Sequence, residues 1–152
     1  MEEITRLELA GSGVSPHVDF NQHTGELILS GRSIPENAAR VYEPLLEWIA
    51  CYLKSPRQTT NLRINLEYYN TPTAIWLAKI IRALSGINLI EAVLIIHVYF
   101  KNDEFEDMEL EDIKDIVTSL IDSLGELHVS IGMKIYGIDS AGKAVRESII
   151  LF

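Results

Sequence analysis

The chain has 152 residues, 47% of them apolar, and 22 acidic against 13 basic side chains leave a net charge of −9. That length fits one compact domain spanning residues 1–152, and the apolar content supplies a real core and excludes a disordered composition. Phosphate backbones and anionic lipids are repelled by such a charge and no basic run offsets it, so the expected partners are proteins, not nucleic acid or membrane.

No apolar run approaches the roughly 20 residues that a membrane helix needs. The longest, Ala92 to Val98, is strand-sized and interrupted by His97. The opening Met1-Glu2-Glu3-Ile4-Thr5-Arg6 is acidic and does not read as a signal peptide. The single cysteine, Cys51, can form no internal disulfide, which suits a reducing cytoplasm. Its apolar helical surroundings predict an inert buried thiol.

In chain order, Ile4 to Leu9 alternates and ends at Gly11-Ser12-Gly13. His17 to Phe20 and Glu26 to Ser30 flank the turn Asn21-Gln22-His23-Thr24-Gly25, which predicts a β-hairpin. Ser33-Ile34-Pro35-Glu36 has the S-x-x-E spacing of a capping box and predicts a helix start. The following helix carries Ala38, Val41, Leu45, Trp48, Ile49 and Tyr52 on one stripe, with a kink expected at Pro44. Thr59 to Tyr69 alternates as a strand, and Pro72 to Leu84 reads as a second helix stopped by Ser85-Gly86.

Ala92 to Phe100 is almost wholly apolar and predicts a central strand covered on both faces. The acidic stretch Asn102 to Asp115 merges into a third helix, with Ile113, Ile116, Val117, Leu120 and Ile121 inward. Leu127 to Tyr136 is again extended, and a turn at Asp139-Ser140-Ala141-Gly142 returns Ala144 to Phe152 as an added strand. The pattern is an α/β layer fold: an N-terminal hairpin, then alternating helices and strands, with a mixed sheet covered by about three helices. Strands joined through helices should pair parallel by right-handed crossovers.

Chemistry concentrates at Leu66-Glu67-Tyr68-Tyr69-Asn70-Thr71-Pro72-Thr73-Ala74. A strand ends, two good capping residues follow, and a proline suits the first helical position, which makes Thr71 the expected N-cap. Unpaired N–H groups and about half a positive charge at a helix N-terminus also suit a phosphate. On the helix that follows, Ala74, Leu77, Ala78, Ile81 and Leu84 are expected inward. Lys79 and Arg82 point outward, Ile75 falls between them and Trp76 lies on the flank. With Asn70, these four form a candidate protein-docking face.

Three segments resemble the SiaC family of regulatory phosphoproteins: Gly31-Arg32-Ser33-Ile34-Pro35-Glu36-Asn37-Ala38, Tyr42-Glu43-Pro44-Leu45-Leu46-Glu47-Trp48 and Leu66-Glu67-Tyr68-Tyr69-Asn70-Thr71. Val18-Asp19-Phe20 with Thr24-Gly25-Glu26, and Asp103-Glu104 with Glu106-Asp107-Met108, fit the same family. The resemblance covers about residues 16–110. It implies a STAS-like fold, close to that of anti-sigma-factor antagonists. It also implies phosphorylation on the threonine of the Asn-Thr pair by a dedicated Ser/Thr kinase, reversal by a PP2C-type phosphatase, and control of a diguanylate cyclase. Carried onto this chain, the acceptor is Thr71. Pro72 directly follows it, and Thr73 offers a second hydroxyl as rival acceptor.

Other chemistries find little purchase. His17, His23, His97 and His128 lack metal-ligand spacing, and the acidic run Asn102 to Asp107 lacks the glycine and spacing of a calcium loop. Phosphate-loop, dinucleotide and nucleophile-elbow motifs are missing, and Asp19 and Glu67 read as isolated carboxylates. No cofactor and no catalytic residue is expected. The expectation is a non-enzymatic, phosphorylation-switched binding protein. The alternatives are an anti-sigma-factor antagonist on the same fold, or a small-molecule binder or enzyme with a cavity lined by Glu67, Tyr68 and Tyr69.

Overall fold

Period-two patterning before and after each amphipathic helix gives one sheet with helices packed on it. The computed structural model describes residues 6–101, 122 and 128–151. Its elements are β1 (Arg6–Leu9), β2 (His17–Asn21), β3 (Glu26–Ser33), α1 (Ala38–Tyr52), β4 (Thr59–Tyr69), α2 (Thr71–Leu84), β5 (Val93–Lys101), β6 (Ser130–Ile138) and β7 (Ala144–Leu151). The third helix expected after Asn102 lies outside the described residues.

The seven strands form a single mixed sheet whose spatial order follows the sequence, β1 to β7. β1, β2 and β3 pair antiparallel, β3 to β6 pair parallel, and β7 returns antiparallel on β6. This bears out both the hairpin and the added C-terminal strand. The hairpin loop closes with Gly25 N–H donating to the Asn21 carbonyl at 3.0 Å. Gly25 has φ 74, and a Cβ there would run into the Thr59 carbonyl oxygen. Only glycine fits that corner.

Alternate residues of each strand build the core. Val18 and Phe20, Leu27 and Leu29, Leu62 and Ile64, Leu94 and Ile96, and Ile131, Met133 and Ile135 are buried on one sheet face. They join Tyr42, Leu45, Trp48, Ile49 and Tyr52 of α1 and Ile80, Ile81 and Leu84 of α2 in a single cluster. Trp48 is wedged between Phe20, edge-on at 5.4 Å, and Tyr52, stacked at 5.2 Å. Tyr42 stacks on Trp76 at 6.2 Å and ties α1 to α2. Both helices therefore cover the same face.

Three local expectations need correction. α1 is capped not by Ser33 but by Asn37, whose side chain accepts from Arg40 N–H at 3.4 Å. Ser33 instead ends β3, fully buried, because Tyr42 and Thr73 compete successfully for its hydroxyl. Val41 is only partly buried, and Tyr42 takes the core position beside it. Cys51 is half-buried rather than buried.

The opposite sheet face is polar and aromatic. Arg63 makes a forked pair with Glu26 at 2.9 and 3.3 Å and donates to the Tyr99 hydroxyl at 2.8 Å. Tyr99 stacks on Tyr136 at 4.5 Å. His97 is 3% exposed and lies between Asn61 and Tyr136, both at 2.8 Å. The Asn61 Oδ1 can only accept, so His97 carries its proton on Nε2 and its Nδ1 accepts from the tyrosine. Burial first, then the nearby Arg63 and Lys134 charges, push the His97 pKa down to about 4, against a smaller opposing effect of Glu26.

Candidate functional site

The junction between β4 and α2 is built by Asn70 rather than Thr71. Asn70 is the N-cap of α2: its Oδ1 accepts the Thr73 N–H at 3.1 Å and its carbonyl accepts the Ala74 N–H at 3.2 Å. Thr71 is the first helical residue and Pro72 the second. Both residue types cap helices well, and proline is tolerated at either early position, so the sequence left the register one residue open. This shift changes the chemistry available. Pro72 has no N–H, and Thr73 and Ala74 have spent theirs on Asn70. Two of the first-turn backbone donors expected to hold a phosphate are thus committed, which leaves that of Thr71.

Thr73 faces inward and is fully buried. Its hydroxyl lies 2.8 Å from both the Ser33 carbonyl oxygen and Asn70 Oδ1 and donates to one of them. It accepts from the Ser33 hydroxyl at 2.8 Å, and Ser33 in turn meets the Tyr42 hydroxyl at 2.5 Å. Desolvation, only partly offset by the bonds from Ser33 and Thr73, raises the Tyr42 hydroxyl pKa above its ordinary value. A relay Tyr42–Ser33–Thr73–Asn70 thus pins the start of α2 to the end of β3. The Asn70 N–H donates to the Ser33 carbonyl at 3.2 Å and closes the same seam.

Thr71, by contrast, is exposed. It starts a stripe along α2 in which Thr71, Ile75, Lys79 and Arg82 follow at i, i+4, i+8 and i+11, within about 80° of one another at 100° per residue. All four are exposed, Ile75 by 54%. Trp76 is partly buried on the flank, with the Lys79 ammonium 4.2 Å above its ring. Of the predicted docking residues, Ile75, Lys79 and Arg82 therefore share one exposed surface with Thr71, while Asn70 is engaged in the cap and Trp76 packs on Tyr42. Ala74, expected inward, is exposed. The buried stripe is Thr73, Ile80, Ile81 and Leu84, turned toward Thr73 by the hydroxyl bonds that hold it.

Sequence reasoning missed a second group beside the junction. β3 and β4 slip register after Gly31, which pairs with Leu66, so that Arg32 stands opposite Tyr68 and Glu67 is passed over. Gly31 takes φ 89 there. As a result the Arg32 guanidinium lies 5.1 Å from the Tyr68 ring centre, and Lys101 at the end of β5 lies 5.7 Å from it. Arg32 also approaches Glu67 at 3.9 Å. The glycine before the arginine was the one signal that could have flagged this bulge. Tyr68 and Tyr69 are 50% and 56% exposed and lie on the surface with Glu67, which is also exposed.

Asp19, read as isolated, is held by Arg6 through two bonds of 3.0 Å, which depress its carboxyl pKa. Among the described residues no group of His, Cys, Asp and Glu is placed to hold a metal. Nor is any helix among them long and apolar enough to cross a membrane.

An open mixed sheet with both described helices on one face defines the class as a mixed α/β domain. The family model for "SiaC family regulatory phosphoprotein" matches residues 9–124, and the chain belongs to that family. Among solved structures it is similar to apo-SiaC from Pseudomonas aeruginosa, with TM-score 0.62 and 16% identity over 84% of this chain and 98% of that one. It is also similar to a chain in the crystal structure of the diguanylate cyclase SiaD in complex with its activator SiaC from Pseudomonas aeruginosa. There the TM-score is 0.62 and the identity 17%, over 82% of this chain and 97% of that one. At those identities the likeness is one of fold. No curated protein matches the chain.

Proposed function

We propose that the chain is a non-enzymatic switch that docks on a signalling partner through the exposed stripe of α2, and that phosphorylation of Thr71 turns docking off. The observation that carries this reading is the contrast between two neighbouring hydroxyls. Thr71 is exposed and shares a stripe with Ile75, Lys79 and Arg82, whereas Thr73 is fully buried. A kinase can reach the first with the fold intact. Reaching the second requires α2 to unwind from Ser33 and Asn70.

Membership in a regulatory phosphoprotein family supports the modification and the absence of catalysis. The similarity to the SiaC that is crystallised as activator of SiaD favours a diguanylate cyclase or a similar effector as partner. A Ser/Thr kinase and a PP2C-type phosphatase would set the phosphorylation state. A phosphate brings about −1.5 to −2 charges. With the Thr73 and Ala74 N–H groups taken by Asn70, the backbone offers that charge only the Thr71 N–H and the helix dipole. The phosphate therefore remains hydrated at the head of the stripe, and a partner must desolvate it to dock.

Phosphopeptide mass spectrometry on the protein isolated from its native cells tests the site. The expected result is a phosphate on Thr71 that PP2C treatment removes. A phosphate on Thr73 alone would move the site and imply a kinase that opens α2. No phosphate under any growth condition would remove the switch.

A further inference from the structure

We infer that the cation–tyrosine patch at the carboxyl end of the parallel strands, Arg32–Tyr68–Lys101, is a second docking surface for an acidic segment of the protein partner that docks on α2. The inference rests on the docking reading given above and extends it onto the other side of the sheet edge.

The charge pattern is the first argument. The chain as a whole is acidic, at −9. Yet at this edge Arg32 and Lys101, from the strands on either side of β4, converge on one exposed ring. Lys101 forms no ion pair among the described residues, and Arg32 has only the 3.9 Å approach of Glu67. Two further cations, Lys79 and Arg82, stand further along the α2 stripe, Arg82 in its last turn. An acidic protein that brings two exposed cations onto one ring is complementary there to carboxylates.

Pre-organisation is the second argument. A guanidinium and an ammonium resting near Tyr68 have already lost much of the rotamer freedom that binding would cost them. The Arg32 position is set by the register slip after Gly31, so it belongs to the backbone design of the sheet. The half-exposed Tyr68 ring supplies apolar area between the charges. That mixture of rigid aromatic and cation is how protein interfaces are anchored. A nucleic acid fits less well, because Glu67 lies inside the patch and the chain's net charge opposes a polyphosphate.

The test uses the full 15N-labelled chain and three probes: a 14-residue amphipathic Glu/Leu peptide, its Lys/Leu counterpart, and the oligonucleotide dT15. The acidic peptide should shift the resonances of Tyr68, Tyr69 and Lys101. Its affinity should fall as salt rises and drop about tenfold in the Arg32→Glu/Lys101→Glu variant. Equal binding of the basic peptide, shifts confined to other surfaces, or no shift at millimolar peptide would overturn the surface. Tighter binding of dT15 would overturn it in favour of a single-strand site. Thr71→Asp separates this proposal from the switch. Docking of the protein partner should weaken in that variant; if the partner and the acidic peptide both still bind it with full affinity, the patch stands and the phosphorylation reading fails.

Discussion

Thr73 and Thr71 are two residues apart and face opposite environments, so equivalent substitutions should give opposite results. Thr73→Val removes a buried hydroxyl from the Tyr42–Ser33–Thr73–Asn70 relay and leaves polar partners unmatched. It should cost about 2 kcal/mol in urea unfolding. Thr71→Val, on the surface, should stay within about 0.5 kcal/mol of the parent. Similar losses for both would mean that Thr71 is also built into the fold. Gly25 makes a third residue-scale case. Its positive φ and its closeness to the Thr59 carbonyl forbid a side chain. Gly25→Ala should therefore lower stability by about 3 kcal/mol, read from the same urea midpoints, by combining backbone strain with overpacking.

Elements show where sequence reading succeeds and where it stops. The hairpin of β2 and β3, the strand β4 and the returning β7 were legible, because alternation and turn chemistry are local signals. Helix starts were less so. Ser33-x-x-Glu36 had the form of a capping box, but a cap only competes for a serine hydroxyl, and here Tyr42 and Thr73, distant in sequence, win it. The α2 cap was misplaced by one residue for the related reason that Asn70 and Thr71 are chemically equivalent candidates. His97 was visible only as an interruption in an apolar strand. Its partners Asn61 and Tyr136 lie on neighbouring strands, and only the register of β4, β5 and β6 joins them.

That strand-spanning network gives an element-scale prediction. His97 is held neutral, with its pKa at about 4 in the folded chain against roughly 6.5 unfolded. The unfolded chain thus takes up the proton first as pH falls. The stability tied to a neutral His97 is complete above about 6.5 and drains away down to about 4, with about 2 kcal/mol lost by pH 5. His97→Gln should remove this loss, so its urea midpoint should change less between pH 7 and pH 5 than that of the parent. Equal pH dependence in the two chains would show that His97 already titrates freely in the fold.

At the scale of the whole molecule, the proposed function assigns separate roles to the sheet edge and α2. The relay from Tyr42 to Asn70 makes the helix start rigid, which keeps Thr71 presented whether or not it carries a phosphate. The proposed switch then needs no change of fold. It would work through charge placed at the head of a docking stripe, on a protein that is acidic overall. Such a device should be sensitive to ionic strength, and docking should weaken with salt in the unmodified form.

The most direct measurement is a calorimetric titration of the diguanylate cyclase from the same cells with this chain, first unmodified and then phosphorylated at Thr71. The expected result is binding by the unmodified form and an affinity at least about tenfold lower for the phosphorylated one. Equal affinities for the two forms would contradict it.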